Sequence, residues 1–180
     1  MTFNTEVSKQ LSRVGFYIML FVIFRTLFSL ITPYYLYAGG PTPVPIDAHA
    51  TSLKYFFDAG YVQQAKDTGY NHAGYFKFFI PLDLIFPLIY TSLFLSLLQL
   101  YKKQKIYAIL KWLIIAGCAF DYSENISFSM FLLLKGTALA PVVAFFTTVK
   151  TCLFVMNIFV FLVGILIGIV LLLKPPDKTT

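Results

Sequence analysis

The chain is short of charge, cysteine and histidine, and each shortage removes a class of function. Only 12% of its 180 residues are charged, about half the share of an ordinary soluble domain. The two cysteines, Cys118 and Cys152, form no C-x-x-C pair. A thiol oxidoreductase is therefore disfavoured, and both are expected as small apolar packing residues. The two histidines, His49 and His72, fall between the apolar runs, which disfavours haem ligation or a zinc site inside a helix bundle. A loop site built from Asp47, His49 and His72 is the remaining metal alternative, less expected than solvated loop histidines. H-E-x-x-H, G-x-S-x-G and P-loop patterns are absent. No metal or cofactor is implied.

What the chain has instead is hydrocarbon. It is 58% hydrophobic with a mean hydropathy of +0.77. Four runs, about 14–32, 78–100, 106–128 and 151–173, are long enough to cross roughly 30 Å of bilayer core. The expected fold is all-α: a single polytopic membrane domain, residues 1–180, forming a four-transmembrane-helix bundle. The net charge of +6 is not a nucleic-acid signature, because the basic residues flank the runs where lipid headgroups and topology explain them.

The first run carries Arg25 and is expected as an uncleaved helix ending at Pro33, with Tyr34, Tyr35 and Tyr37 as an interfacial belt. The loop 33–77 then holds a stiff Pro41-Thr-Pro43-Val-Pro45 spacer. Over about 48–67, Leu53, Phe56, Phe57 and Tyr61 recur at helical spacing, which predicts an amphipathic helix capping the bundle. The second run places Asp83 between Pro81 and Pro87, and prolines free carbonyls that neighbouring groups must satisfy. Pro141 to Val149 reads as an approach segment, with the fourth span starting at Lys150 or Thr151. Lys9, Arg13, Lys102, Lys103, Lys105, Lys174 and Lys178 place both termini and the middle loop in the cytoplasm of a plasma or bacterial inner membrane.

Within the third run, Asp121, Glu124 and Asn125 share one helical face by their spacing. Ionisable residues in a span are costly, turn away from lipid and mark functional sites. At about 1.5 Å of rise per residue, Asp121 lies roughly 22 Å from the inner boundary, with Asp83 and Arg25 about 8 and 10 Å below the outer one. Lys150 falls at the outer edge of the fourth span. The four helices thus bring their ionisable groups into the outer half, with Tyr90, Ser123, Thr147, Thr148 and Asn157 available as hydrogen-bonding neighbours.

Two readings of this convergence follow. One is a structural ion-pair network that fixes helix register. The other is an outward polar pocket under the amphipathic segment, holding a lipid or small amphipathic ligand with Arg25, Asp83, Tyr90, Asp121, Glu124, Asn125 and Lys150 around its head. A membrane enzyme using Asp121 and Glu124 as an acid and base pair is an alternative. So is a non-catalytic subunit or homo-oligomer packing through Gly164-x-x-x-Gly168.

Two resemblances accompany these residues. Asp121-x-x-Glu124-Asn125, after a second run bearing Asp and Pro, resembles small uncharacterised bacterial four-span membrane proteins; that resemblance implies a fold and no activity. The stretch Tyr75-Phe-Lys-Phe-Phe-Ile-Pro-Leu-Asp83-Leu-Ile-Phe-Pro87, following a first run and an amphipathic loop, is similar to the EXPERA-domain proteins. That likeness implies a bundle that binds or isomerises sterols, with Asp83 as a ligand-contacting acid. Arg25 in the first span and the lack of a basic retrieval tail depart from the pattern.

Overall fold

The structure, a computed structural model, describes residues 2–35, 57–60, 62–63, 75–99, 102, 105–134 and 138–173. All regular structure among them is helical, as expected. Four long helices are present: α1 (Thr2–Tyr35), α2 (Ile80–Leu98), α3 (Tyr107–Leu133) and α4 (Ala140–Leu173). A wide π-helical turn, Tyr75–Phe79, runs directly into α2.

Several helical boundaries differ from the sequence reading: α1 runs through Pro33 to Tyr35 rather than ending at Pro33, and α3 continues past 128 to Leu133. Helix α1 begins in the polar N-terminal stretch rather than at residue 14, because Val7 is buried there as Val14 is one heptad later. Gln10 Nε2 also donates to the Ser96 carbonyl of α2, which holds this early part against the bundle. Helix α4 is continuous from Ala140, so residues 141–149 are helix and not an approach segment. Pro141 falls in its first turn, where a missing N–H leaves nothing unsatisfied and the fixed φ suits a helix start. Pro81 plays the same part in the first turn of α2. Of the helix predicted over 48–67, residues 59–60 and 62–63 are helical, whereas Phe57 has a left-handed φ of 57°; 48–56, Tyr61 and 64–67, with Leu53 and Phe56 among them, lie outside the described residues.

Helix α2 is the centre of the bundle and touches the other three. Its seam with α1 is aromatic: Phe21 meets Phe86 at 5.1 Å between ring centroids, and Phe28 meets Phe79 at 5.3 Å and Phe86 at 5.5 Å. Toward α4, Phe154 contacts Tyr90 edge-on at 5.4 Å, and Phe161 contacts Phe94 at 6.2 Å. Such pairs contribute about 0.5–1.5 kcal/mol each beyond their burial. A separate apolar cluster closes the end where α3 stops and α4 starts, built from Val62, Tyr75, Phe128, Phe131, Val143 and Ala144.

By length and composition, Thr5–Leu30, Tyr75–Leu98 and Ala140–Leu166 are apolar enough to cross a membrane. Helix α3 is as long as these spans but less apolar. Asp121, Glu124, Asn125 and the serines around them lower its hydropathy. The side chains that weaken it as a span are the ones that build the site.

Candidate functional site

Helix α3 buries Asp121, Glu124 and Asn125 to 5%, 4% and 5% exposure. Their partners come from the neighbouring helices. Lys150 of α4 lies with Nζ 3.5 Å from Asp121 Oδ1 and in ion-pair contact with Glu124 Oε2; its own side chain is 17% exposed. The other carboxylate oxygens accept from hydroxyls. Tyr90 of α2 donates to Asp121 Oδ2 at 2.8 Å, and Thr147 of α4 donates to Glu124 Oε1. Each carboxylate is thus held by an ammonium on one oxygen and a hydroxyl on the other. Thr147 and Lys150, one turn apart on α4, match Glu124 and Asp121, one turn apart on α3. Breaking a buried pair of this kind by removing one partner costs about 3–5 kcal/mol.

The same face of α3 makes good the backbone hydrogen bond that proline removes from α2. Pro87 has no N–H, so the carbonyl of Asp83, four residues earlier, has no helical donor. Asn125 Nδ2 donates to that carbonyl at 3.4 Å, and Tyr122 OH donates to the next one, on Leu84, at 2.6 Å. The sequence required such donors without identifying them. Tyr122 escaped notice because an aromatic beside a carboxylate carries no signal of its own. Its register facing a proline-bearing helix was the available clue.

The structure thus gathers Tyr90, Asp121, Glu124, Asn125 and Lys150 into one cluster, and Asp83 joins it through its backbone carbonyl. Arg25 does not join. It is exposed on α1 and makes no ion pair with the carboxylates among the described residues. Counting rise along a helix sets a residue's level but not its neighbours around the axis; of the two cations expected there, Lys150 meets the carboxylates and Arg25 does not. Because α4 starts at Ala140, Lys150 lies well inside that candidate span rather than at its edge. Ser123 Oγ donates to the Ala119 carbonyl of its own helix at 2.9 Å, and so serves α3 rather than the cluster.

Two helical turns beyond Lys150, Asn157 is buried to 1% exposure, and its Nδ2 has no hydrogen-bond partner among the described residues. It packs on Gly117 of α3, where an added Cβ would lie 3.1 Å from Nδ2. Gly117 is therefore a close-approach glycine of the α3–α4 contact, a role the sequence reading assigned to Gly164 and Gly168 facing a partner. Gly164 is buried within the chain; the surroundings of Gly168 lie outside the described side chains. Cys118 is partly buried, but Cys152 is exposed on α4 rather than packed in the core.

Beside the cluster, α1, α2 and α4 line an open, wholly apolar surface crevice of about 240 Å³ formed by Ile18, Phe21, Leu93, Phe94, Phe154, Ile158, Phe161 and Leu162. Phe94 and Phe154 also contact the ring of Tyr90, at 6.0 and 5.4 Å. One aromatic wall therefore separates a charged cluster from an oily recess. On the other side of the cluster, the loop residue Phe57 donates its N–H to Thr148 Oγ1 at 2.9 Å. His49 and His72 lie outside the described residues.

No protein-family model matches the chain, and no curated protein or solved structure is detectably similar to it. The class rests on the molecule itself: among the described residues all regular structure is helical, three helices are long and apolar enough to cross a membrane, and α2, α3 and α4 bury a polar cluster.

Proposed function

We propose that the chain is a four-span membrane protein that seats the polar head of a lipid or small amphipathic ligand at the Asp121, Glu124 and Lys150 cluster. Both termini face the cytoplasm in this reading, on the strength of the basic residues flanking the helices. One observation carries it: a buried, charged triad and an apolar crevice share the wall formed by Tyr90, Phe94 and Phe154. Charged groups inside a span are expensive and are characteristic of substrate and ligand pathways. The crevice offers a hydrocarbon tail a surface next to groups that attract a polar head.

A second reading, a lock that fixes helix register, is favoured by a different observation. Both carboxylates already meet a protein partner on each oxygen, so a ligand head must displace Lys150, Thr147 or Tyr90.

Native mass spectrometry of the protein released from lipid nanodiscs separates the two. Ligand binding predicts a defined adduct on the wild type that is missing from a folded Asp121→Asn variant. A wild type without adduct, together with an Asp121→Asn variant that fails to assemble, supports the lock instead.

A further inference from the structure

Arg25, left out of the polar cluster, is exposed on α1 within Thr5–Leu30, a stretch apolar enough to cross a membrane. Its side chain makes no ion pair or hydrogen bond among the described residues. Ser29 Oγ reaches only its backbone carbonyl, at 3.1 Å. The exposed side chains around it, Val22, Ile23 and Leu30, are apolar and suited to lipid. A bare guanidinium in such surroundings is costly, and the cost is relieved by an opposite charge or by rising to the headgroups.

The rise to the headgroups is poorly served here. Arg25 lies five residues before the Leu30 end of the stretch, about 8 Å along the axis. A helix tilts each Cα–Cβ bond toward its N-terminus. The side chain of Arg25 therefore leaves the backbone heading away from the nearer end and must double back to reach it. An opposite charge at its own level is the better resolution.

The face beside Arg25 admits a helix that could bring one. Val7, Val14 and Phe28 are the buried residues of α1, and Phe28 meets Phe79 and Phe86 of the bundle. Ser12, Gly15, Met19, Val22, Thr26 and Ser29 are all exposed, alternately three and four residues apart. That is heptad spacing, and Arg25 precedes one of these positions by a single residue. It thus flanks the line of contact, where paired helices exchange charge partners. Four of the six are Ser, Gly or Thr, which let membrane helices approach closely. A Cβ built on Gly15 would meet nothing within 4 Å.

A second copy of this face does not supply the anion. Glu6 is the sole acid in α1, nineteen residues from Arg25 and so about 28 Å away along the axis. We propose that the Arg25 face of α1 docks a transmembrane helix of a different protein, which carries a carboxylate at the level of Arg25. This rests on α1 crossing the membrane and is independent of whether the Asp121 cluster holds a ligand.

The test uses the full chain in phosphatidylcholine vesicles with a synthetic leucine–alanine transmembrane peptide. The peptide bears a dansyl group and one aspartate at the Arg25 level. Energy transfer from Trp112, the only tryptophan, reports association as added lipid dilutes the pair. The aspartate peptide is expected to associate about tenfold more tightly than the same peptide with leucine there, the gain of one polar pair between helices. Arg25→Leu should erase that difference, and Arg25→Lys should keep most of it.

Equal association of the two peptides with wild type overturns the docking, as does a difference that survives in Arg25→Leu. So does a preference that vanishes when phosphatidylglycerol is added, because the guanidinium then takes lipid phosphate instead. Washing with alkaline carbonate separates this from failure of the membrane reading. A chain stripped from the vesicles sinks the four-span reading and the docking together. A retained chain that treats the peptides alike sinks the docking alone, and one that prefers the aspartate peptide but carries no adduct sinks only the ligand.

Discussion

Lys150 carries more of the polar cluster than any other side chain, because its single ammonium meets both Asp121 and Glu124. Lys150→Met keeps the volume but leaves two buried carboxylates facing each other. Chemical denaturation in detergent is expected to show a loss of about 3–5 kcal/mol, the usual cost of stranding a buried charge. Tyr90→Phe removes one hydroxyl from Asp121 and should cost about 1.5–3 kcal/mol, as for hydrogen bonds to charged groups. The two losses should not add, since both act on one carboxylate. Arg25→Gln is the contrasting case. Exposed and outside the ion pairs, it should stay within about 0.5 kcal/mol of wild type and leave any bound adduct in place. At this scale the sequence was informative wherever local geometry decides: the spacing of Asp121, Glu124 and Asn125 puts them on one face whatever the fold. It was misleading for Arg25, whose partner depends on how α1 is rotated against α2.

Between elements, the decisive pairing is a helix with one missing backbone hydrogen bond against a polar one. Pro87 deprives the Asp83 carbonyl of its helical donor, and Asn125 supplies a substitute. Restoring the N–H with Pro87→Ala should therefore make Asn125 partly redundant. A double-mutant cycle between Pro87→Ala and Asn125→Ala is expected to give a coupling of about 0.5–3 kcal/mol. A cycle that closes to zero contradicts the repair. The α3–α4 contact has its own tight point at Gly117, where a methyl group would press on Asn157. Gly117→Ala should cost about 1–3 kcal/mol by overpacking, and Asn157→Ala in the same chain should recover part of it, both read from thermal melts. The missing N–H in α2 was legible because a proline announces it anywhere. Pro141 was misjudged for the same residue type: at the first turn of α4 a proline starts a helix rather than stopping one. Of the loop helix, residues 59–60 and 62–63 are helical and Phe57 is not.

For the whole molecule, α2 is central and α3 turns its polar face onto α2 and α4; the polar residues of the third run were legible in the sequence, their neighbours were not. Lys102 and Gly60, both exposed and in different connections, should as cysteines react with an impermeant maleimide from opposite sides of sealed vesicles if α2 crosses the membrane. Reaction of both from one side contradicts that crossing. The cluster itself could be located in sequence, but its purpose could not, because a lock and a seat use the same residues. Replacing the complete network separates them, since a buried ion set exchanged for apolar side chains of similar size is often neutral or stabilising. The most direct measurement is native mass spectrometry of the triple variant Asp121→Leu, Glu124→Met and Lys150→Met beside wild type, with helicity checked by circular dichroism. A seat for an amphipathic ligand predicts a folded variant without the adduct that wild type carries. A folded variant with the wild-type adduct, or a wild type with none, contradicts it.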